Sequence, residues 1–265
     1  MPEDPLAGFE AFEYTHDGIT RQVFRGGAGP AVIVIHEIPG LHPEAIAFGR
    51  RVVEAGFTVF MPSLFGTPGR PFGLGYTLRI FPQVCVAREF VSMATNRTSA
   101  ITTWLRSLAA DAHADCGGPG VGAVGMCFTG GFALGMMVDE RMRAPVLSQP
   151  SLPFPVGKRR KAAVGISDAD LSRVKERAAQ GVCVLGMRFT ADPAVPPERF
   201  ETLRNELGDA FIAVDIDSSR GNPYGIKKRA HSVLTLDLVD EPGHPTHAAL
   251  EQVLAFLQER LHGHR

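Results

Sequence analysis

The sequence has few cysteines, no long apolar run and almost no net charge. Its four cysteines lie far apart and form no C-x-x-C pair, which argues against both a disulfide framework and a cysteine zinc site. No segment approaches the ~18 uninterrupted apolar residues of a membrane span, and the acidic N-terminus lacks the apolar stretch of a signal peptide. We therefore predict a cytoplasmic protein with no membrane partner.

A nucleic-acid partner is not expected either. The formal net charge is −1 at pH 7, and the one basic cluster, 158–161, contains no aromatic residue and is predicted to be a solvated loop. Hydrophobic residues, by contrast, make up 45% of the 265 residues, which is enough for a sizeable core. This length, without any repeat or linker, predicts one domain over residues 1–265.

Strand-like and helix-like segments alternate along the chain. The buried-strand pattern Ala31–Ile35 is followed by helical periodicity over 43–55 and by a second apolar run at 57–61. This unit predicts two parallel neighbouring strands joined by a right-handed crossover. We expect an α/β fold with a mostly parallel central sheet and helices on both faces. The remaining predictions are short strands within 9–25, strands at 121–124, 146–148, 182–186 and 211–216, helices at 82–94, 98–112 and 246–261, and a loop over the Gly- and Pro-rich residues 66–80.

The stretch GVGAVGMCFTGG, residues 120–131, has two competing interpretations. Gly120, Gly122 and Gly125 have the G-x-G-x-x-G spacing of a dinucleotide-binding loop, but that motif needs a strand ahead of its first glycine, where this chain has DCGGP. The same residues also read as a strand, a tight turn at Cys127 and a helix, which is the pattern of a nucleophile elbow. We favour the elbow, because a helix N-terminus stabilises a thiolate. A buried structural cysteine remains the alternative.

A thiol nucleophile needs a base and a carboxylate that orients the base. Asp192 follows the predicted strand 182–186 at its C-terminal end and is a candidate for the carboxylate, with a helix cap or an Asx-turn as the alternative. Three histidines after the predicted strand 211–216 compete for the role of the base, namely His231, His244 and His247.

The chain resembles the dienelactone hydrolase family of α/β-hydrolases over most of its length. The resemblance implies an α/β-hydrolase fold and a Cys–His–Asp triad formed by Cys127, His231 and Asp192, with Glu37 as an additional carboxylate. It also implies hydrolysis of a small lactone or carboxylic ester through an acyl-enzyme, without a metal or an organic cofactor. The motifs that carry it are IHEIPGL at 35–41, FMPSLFG at 60–66, GMCFTGG at 125–131, the segment 189–196 and the pair His231-Ser232.

The resemblance assigns further roles near the thiol. Glu37 follows the strand 31–35 and is expected to help ionise the thiol, with a salt bridge to an arginine as the alternative. The backbone N–H groups of Ile38 and Phe128 are the expected oxyanion donors. The His-Ser pair favours His231 as the base, which leaves His244 as a capping or loop residue. Arginines hold a substrate carboxylate in the family, and the candidates in this chain are Arg79, Arg88 and Arg188.

Two features depart from the family pattern. Thr129 stands where the family has glycine, so the turn must accommodate a β-branched side chain. The segments 66–117 and 152–171 contain residues without a counterpart and are candidates for a cap, a lid or contacts in a homo-oligomer. A general carboxylesterase or thioesterase, and a non-catalytic ligand-binding protein of the same fold, remain alternative functions.

Overall fold

The computed structural model describes residues 4–86 and 99–262, and within them eight strands form one sheet in the order β1-β2-β4-β3-β5-β6-β7-β8. Strands β3 to β8 are mutually parallel, whereas β1 and β2 form an antiparallel hairpin that joins the sheet at the edge of β4. The strands are β1 (Glu10–His16), β2 (Ile19–Gly27), β3 (Ala31–Ile35), β4 (Thr58–Pro62), β5 (Val121–Met126), β6 (Met142–Ser148), β7 (Val184–Phe189) and β8 (Phe211–Ile216).

Helices connect the parallel strands and cover both faces of the sheet. None of the helices within the described ranges combines the length and the apolar character that a membrane crossing requires. The helices are α1 (Pro43–Glu54), α2 (Leu74–Val86), α3 (Ala100–Cys116), α4 (Gly130–Met136), α5 (Gly157–Ala162), α6 (Asp168–Ala179), α7 (Pro197–Leu207) and α8 (Pro245–Leu261).

The hydrophobic core consists of two clusters, one on each face of the sheet. On one face α1 and α8 pack against the strands through residues such as Phe48 and Val253. On the other face α3 and α4 contribute Trp104 and Phe132. All five residues of β3 are buried because both of its faces are covered. The predicted α/β fold with a mostly parallel sheet and helices on both faces is therefore confirmed.

The parallel pairing of β3 with β4 is the pairing predicted from the first strand–helix–strand unit. The hairpin turn between β1 and β2 lies within the predicted strand region 9–25, with Asp17 and Gly18 both at positive φ (47° and 74°). Three strands are longer than predicted: β5 runs to Met126, β6 begins at Met142 and β7 runs to Phe189. These extensions include polar or charged residues that an apolar run does not mark.

The prediction of a loop over 66–80 is wrong in its second half. Helix α2 begins at Leu74, and it contains Pro82. Its one glycine and its proline hide the helical pattern. The helix is held by tertiary contacts such as the ring contact between Phe81 and Phe154, whose centroids are 5.5 Å apart. The part of the predicted helix 82–94 beyond residue 86 lies outside the described residues. Helix α3, predicted over 98–112, spans Ala100–Cys116.

Candidate active site

Cys127 lies on a sharp turn between β5 and α4. Strand β5 ends at Met126, a single 3-10 turn covers Cys127–Thr129, and α4 follows directly. The backbone of Cys127 has a φ of 53°, a left-handed conformation that L-residues other than glycine rarely adopt. The turn holds the half-buried thiol at the carboxyl end of β5. This succession of strand, turn and helix is the one that the elbow interpretation predicts.

The glycines of the apparent dinucleotide motif have packing roles. Strand β5 runs through the motif, so no strand precedes the first glycine. A Cβ atom on Gly122 would lie 2.8 Å from Leu257 Cδ2 of α8, and one on Gly125 would lie 2.4 Å from the carbonyl oxygen of Thr129. Glycine is therefore required at position 125, where a side chain would meet backbone, whereas a side chain at position 122 would force the Leu257 side chain to shift.

Thr129 fastens the elbow to the neighbouring strand β3. Its hydroxyl oxygen accepts a hydrogen bond from the backbone N–H of Met126 at 3.0 Å. The same hydroxyl lies 2.9 Å from the carbonyl oxygen of Ile35 and 3.1 Å from that of His36. Its single proton can be donated to either of these carbonyl oxygens. The side chain is fully buried. The turn thus accommodates the β-branched residue by using its hydroxyl as a bridge between strand ends.

The structure brings the four predicted site side chains together at the carboxyl edge of the sheet. Glu37 follows β3, Cys127 follows β5 and Asp192 follows β7, whereas His231 lies on the long connection between β8 and α8. His231 Nδ1 is 2.6 Å from Asp192 Oδ2. The Cys127 sulfur, a Glu37 carboxylate oxygen and a His231 ring nitrogen all lie within 4.8 Å of one another. The carboxyl ends of parallel strands are the usual location of sites in such sheets.

Asp192 makes two kinds of hydrogen bond at once. While Oδ2 contacts His231, Oδ1 accepts from the backbone N–H of Ala194 at 2.9 Å, which is an Asx-turn. The triad and Asx-turn interpretations are therefore compatible. The helix-cap alternative is wrong, because the N-cap of α7 is Pro196.

His231 has a strongly perturbed pKa. Burial lowers the pKa of its imidazole, but the charge of the Cys127 thiolate and the hydrogen bond to Asp192 act in the opposite direction and prevail. The pKa of His231 is therefore raised well above its ordinary value of 6.5. Because the carboxylate of Asp192 only accepts, Nδ1 of His231 donates, and Nε2 is the nitrogen left for the thiol.

Glu37 lies at the centre of a buried hydrogen-bond network. Its carboxylate accepts from the hydroxyl of Ser232 at 2.6 Å, from the hydroxyl of Thr235 and from Gln149 Nε2 at 3.3 Å. Its ionic partner is His42, whose Nε2 is 3.4 Å away at ion-pair distance but without hydrogen-bond alignment. The alternative of a salt bridge between Glu37 and an arginine is therefore wrong, since the cation is a histidine.

Glu37 and His42 shift each other's pKa toward the charged forms. Burial raises the pKa of Glu37, yet the adjacent His42 and the two hydroxyl donors outweigh it, so that the pKa of this carboxyl is lowered. Burial likewise lowers the pKa of His42, but Glu37 and the more exposed Glu44, 2.9 Å from His42 Nδ1, raise it overall. Nearby His36 differs, because burial lowers its pKa to about 4 and its Nε2 accepts from the backbone N–H of Leu64.

A cavity of about 550 Å³ opens beside the thiol. Helix α2 and the residues before it form one wall, so part of the segment 66–117 covers the site. The lining includes Ile38, one of the expected oxyanion donors, while Phe128 is buried directly after Cys127. The described residues that line the cavity are Glu37, Ile38, Phe72, Thr77, Phe81, Cys127, His231, Ser232, Leu236 and Asp237.

None of the three predicted arginines is observed at the cavity. Arg188 is buried and its Nε donates to Asp215 at 2.7 Å, while Nη1 donates to the carbonyl of Val195, so its prediction as a substrate-binding residue is wrong. Arg79 is exposed on α2 and is not among the described lining residues. Arg88 lies outside the described residues.

Several residues of the site carry no sequence signal that we used. The hydroxyl of Ser151 is 3.5 Å from the Cys127 sulfur. Asp237 accepts from the backbone N–H groups of His231 at 2.8 Å and Ser232 at 3.0 Å, and thus holds the histidine loop. His42, five residues after Glu37, was detectable only as a second titratable group in the same loop. His244 lies apart, as the N-cap of α8, where its Nδ1 accepts from the backbone N–H of Thr246 at 3.2 Å.

The cluster also contains ligand types that bind metal ions. Cys127, His231 and Glu37 offer a thiolate, an imidazole and a carboxylate, the set that zinc accepts. Both oxygens of Glu37 already accept hydrogen bonds from hydroxyl groups, however, and His231 Nδ1 is bound to Asp192. The arrangement that remains available is a thiol facing one imidazole nitrogen, which suits nucleophilic chemistry.

Solved structures with the same fold include several hydrolases. A dienelactone hydrolase from Anabaena variabilis has a TM-score of 0.60 and 14% identity, covering 96% of this chain and 98% of its own. A dienelactone hydrolase-like promiscuous phosphotriesterase from metagenomic libraries has a TM-score of 0.61 and 17% identity, with 94% and 97% covered. A cold-adapted esterase from an Arctic intertidal metagenomic library has a TM-score of 0.57 and 15% identity, with 96% and 93% covered.

At these identities the structures establish the fold alone. A search of curated proteins finds no match to the sequence. The model of the dienelactone hydrolase family, by contrast, matches residues 22–261, which is most of the chain and includes all four clustered side chains. This protein therefore belongs to the dienelactone hydrolase family and is a carboxylic ester hydrolase.

Proposed function

We propose that the protein hydrolyses a lactone or carboxylic ester through a covalent thioester on Cys127. The observation that carries the proposal is the arrangement of Cys127, His231 and Asp192, in which the imidazole lies between a thiol and a carboxylate 2.6 Å from its Nδ1. In a triad of this kind the histidine is the base and the carboxylate orients it.

In the first half-reaction Nε2 of His231 takes the thiol proton, and the sulfur attacks the carbonyl carbon of the substrate. The raised pKa of His231 makes its imidazole a stronger acceptor for this proton. The backbone N–H groups of Ile38 and Phe128 donate to the oxyanion of the tetrahedral intermediate. The intermediate expels the alkoxide, which receives the proton from His231, and a thioester remains on Cys127.

In the second half-reaction water hydrolyses the thioester. His231 removes a proton from the attacking water, and the new tetrahedral intermediate expels the Cys127 thiolate to release the carboxylic acid. The imidazolium and the thiolate are then restored. For a lactone, the alcohol and the acid are the two ends of one product.

Glu37 has a positioning role in this proposal instead of the expected role in ionising the thiol. Its oxygens are engaged by Ser232 and Thr235 on the loop that carries His231, and its charge is balanced by His42. A carboxylate that is already paired and hydrogen-bonded is a poor proton acceptor. Its contacts instead fix the histidine loop against the end of β3.

Replacement of the nucleophile tests the proposal. We expect Cys127→Ala to lower kcat/KM for 4-nitrophenyl butyrate by about 10³-fold or more, whereas Cys116→Ala, at the far end of α3, serves as the matched control and keeps wild-type activity. Equal rates for wild type and Cys127→Ala contradict the proposal.

Chemical labelling separates the enzyme from a ligand-binding protein of the same fold. Iodoacetamide is expected to modify Cys127 faster than the half-buried Cys116 and Cys183 at neutral pH, because the thiolate is the reacting form. When the reaction with the ester is quenched rapidly, mass spectrometry should detect one acyl group on the peptide that contains Cys127. A slow Cys127 without an acyl adduct indicates a binding protein.

A further inference from the structure

The cavity beside Cys127 has apolar walls in addition to its reacting and polar groups. Ile38, Phe72, Phe81 and Leu236 supply these walls. The two phenylalanines are 45% and 41% exposed, which is high for residues of this size and places uncovered rings at the opening. A volume of about 550 Å³ lies in the range of small-molecule sites, roughly 300–1,000 Å³.

The polar groups of the cavity are already satisfied by protein partners. The hydroxyl of Thr77 donates to the carbonyl oxygen of Gly73 at 3.0 Å, and that of Ser232 donates to Glu37. The charge of Glu37 is balanced by His42. A substrate therefore finds few free hydrogen-bond partners beyond the thiol and His231.

One carboxylate at the cavity has no lysine or arginine beside it among the described lining residues. Asp237 lines the cavity, and its Oδ2 is held by the backbone N–H groups of His231 and Ser232 at 2.8 and 3.0 Å. The described lining contains neither lysine nor arginine. The fixed negative charge of Asp237, next to the proposed base, repels an anionic substrate group more strongly in a partly desolvated cavity than in water.

We propose that the site selects esters or lactones whose non-reacting part is apolar and uncharged, and that Asp237 is the residue that disfavours substrates bearing a carboxylate. This inference rests on the proposed function and deepens it. It departs from the expectation of a carboxylate-bearing substrate held by an arginine, because the residue at the cavity has the opposite charge.

Matched esters test the selection by charge. The first set is 4-nitrophenyl heptanoate, the 4-nitrophenyl monoester of adipic acid and the corresponding adipamate, whose amide replaces the carboxylate without changing its shape. The six-carbon diacid avoids the self-cleavage of shorter half-esters through cyclic anhydrides. The pair 4-acetoxybenzoate and 4-acetoxybenzamide places the same charge difference on the leaving side.

We expect kcat/KM for the adipamate to exceed that for the adipate by about tenfold or more, with the heptanoate highest. Among unsubstituted 4-nitrophenyl esters, each methylene added from acetate to hexanoate should raise kcat/KM by up to about fourfold, as expected for burial of one methylene. Equal kcat/KM values within both the acyl-side pair and the leaving-side pair overturn the inference.

Asp237→Asn tests the residue itself. The asparagine keeps an oxygen for the two backbone donors but removes the charge, so the ratio of adipamate to adipate should fall at least threefold. Asp209→Asn makes the same charge change at an exposed position after α7 and should leave the ratio unchanged. A ratio that Asp237→Asn does not alter overturns the role of Asp237. Because both esters are cleaved by the same triad, general damage to the site cancels in the ratio.

The wild type supplies a measurement that needs no folded variant. Octanamide is expected to inhibit at about tenfold lower concentration than octanoate, and equal inhibition constants overturn the inference. Failure of the proposed function can be distinguished from failure of this inference. If the proposed function is wrong, Cys127→Ala hydrolyses the esters at the wild-type rate, whatever the ratio of kcat/KM between neutral and charged esters.

Discussion

The site contains two histidine–carboxylate pairs that differ in their access to solvent. In the first, His231 and Asp192, the histidine side chain is 24% exposed and borders the cavity. In the second, His42 and Glu37, the side chains are 0% and 1% exposed. Both histidines have raised pKa values, and both carboxylates follow a parallel strand of the same sheet. The chemistry of the two pairs is alike, but only in the first pair does the histidine line the substrate cavity, whereas the second pair reaches it through Glu37 alone.

The difference separates proton transfer from architecture. A proton can leave the imidazole of His231 only because its second nitrogen faces the thiol and the cavity. The imidazole of His42 is enclosed by Glu37 and Glu44, so its proton serves to neutralise a buried carboxylate. The exposure of the histidine, more than its pKa, therefore distinguishes the proposed base from a structural cation.

The largest expected effect is on the activity of variants in the pair His231 and Asp192, whose histidine is open to the cavity. His231→Gln should lower kcat/KM by about 10³-fold or more, because His231 is the one imidazole among the described residues that line the cavity and Glu37 is already engaged by hydrogen bonds. His244→Gln is the matched control, since that residue caps α8 away from the thiol. Steady-state hydrolysis of 4-nitrophenyl butyrate measures both variants. A His42→Gln variant that loses as much activity while staying folded would break the distinction between the pairs.

Variants of the pair His42 and Glu37, which we call the sealed pair, should change the free energy of unfolding. Glu37→Gln leaves the buried His42 without its counter-ion, which is expected to reduce the free energy of unfolding by about 3 kcal/mol. Glu44→Gln removes the partner of His42 on the more exposed side and should reduce it by less than about 1 kcal/mol. Urea titrations compare the two variants, and similar losses would contradict the sealed character of the pair.

The same pair predicts a smaller effect that depends on pH. His42 has a raised pKa, so its contribution to stability is present below about pH 6.5 and is lost as the pH rises through its folded-state pKa. Glu37 has a lowered pKa, so its contribution is present above about pH 4.5 and is lost as the pH falls through its folded-state pKa. The stability difference between wild type and His42→Gln should thus be largest between these two pH values. A difference that is constant with pH would show that the pair is not ionised.

The smallest effect concerns Thr129, whose hydroxyl links the turn at Cys127 to the end of β3. Thr129→Val keeps the shape of the side chain but leaves the buried N–H of Met126 without its acceptor, which should reduce the free energy of unfolding by about 1–2 kcal/mol. Thr129→Ser retains the hydroxyl and should lose less. If valine and serine have equal effects in thermal unfolding, the hydroxyl bridge does not stabilise the elbow.

The parts of the fold that were predictable are those in which burial leaves a local pattern. The run Ala31–Ile35 is covered on both faces, and its composition reflects that directly. The positions of Cys127 and Asp192, each after a strand end, marked two of the residues that meet in space, and the family resemblance selected His231 as the third. Their catalytic roles remain predictions until the activity of the variants is measured.

The remaining features depend on contacts that local sequence does not encode. Helix α2 was missed because it is stabilised through residues such as Phe81 against a distant segment. Asp237 holds the His231 loop by accepting hydrogen bonds from backbone N–H groups, and a pattern of side chains in the sequence cannot reveal such contacts. His42 and Gln149 reach Glu37 from two different loops. Arg188 shows the reverse error, because a residue chosen for its charge is bound to Asp215.

The left-handed backbone of Cys127 has a consequence for the balance between folding and activity. A residue with a Cβ atom at a φ of 53° is held about 1–2 kcal/mol above its preferred conformation. Glycine would relieve that strain, so the inactive Cys127→Gly should unfold at higher denaturant concentration than the equally inactive Cys127→Ala. The chain thus tolerates a strained backbone conformation at the residue proposed to be the nucleophile. In such a trade-off the most stable sequence is not the most active one.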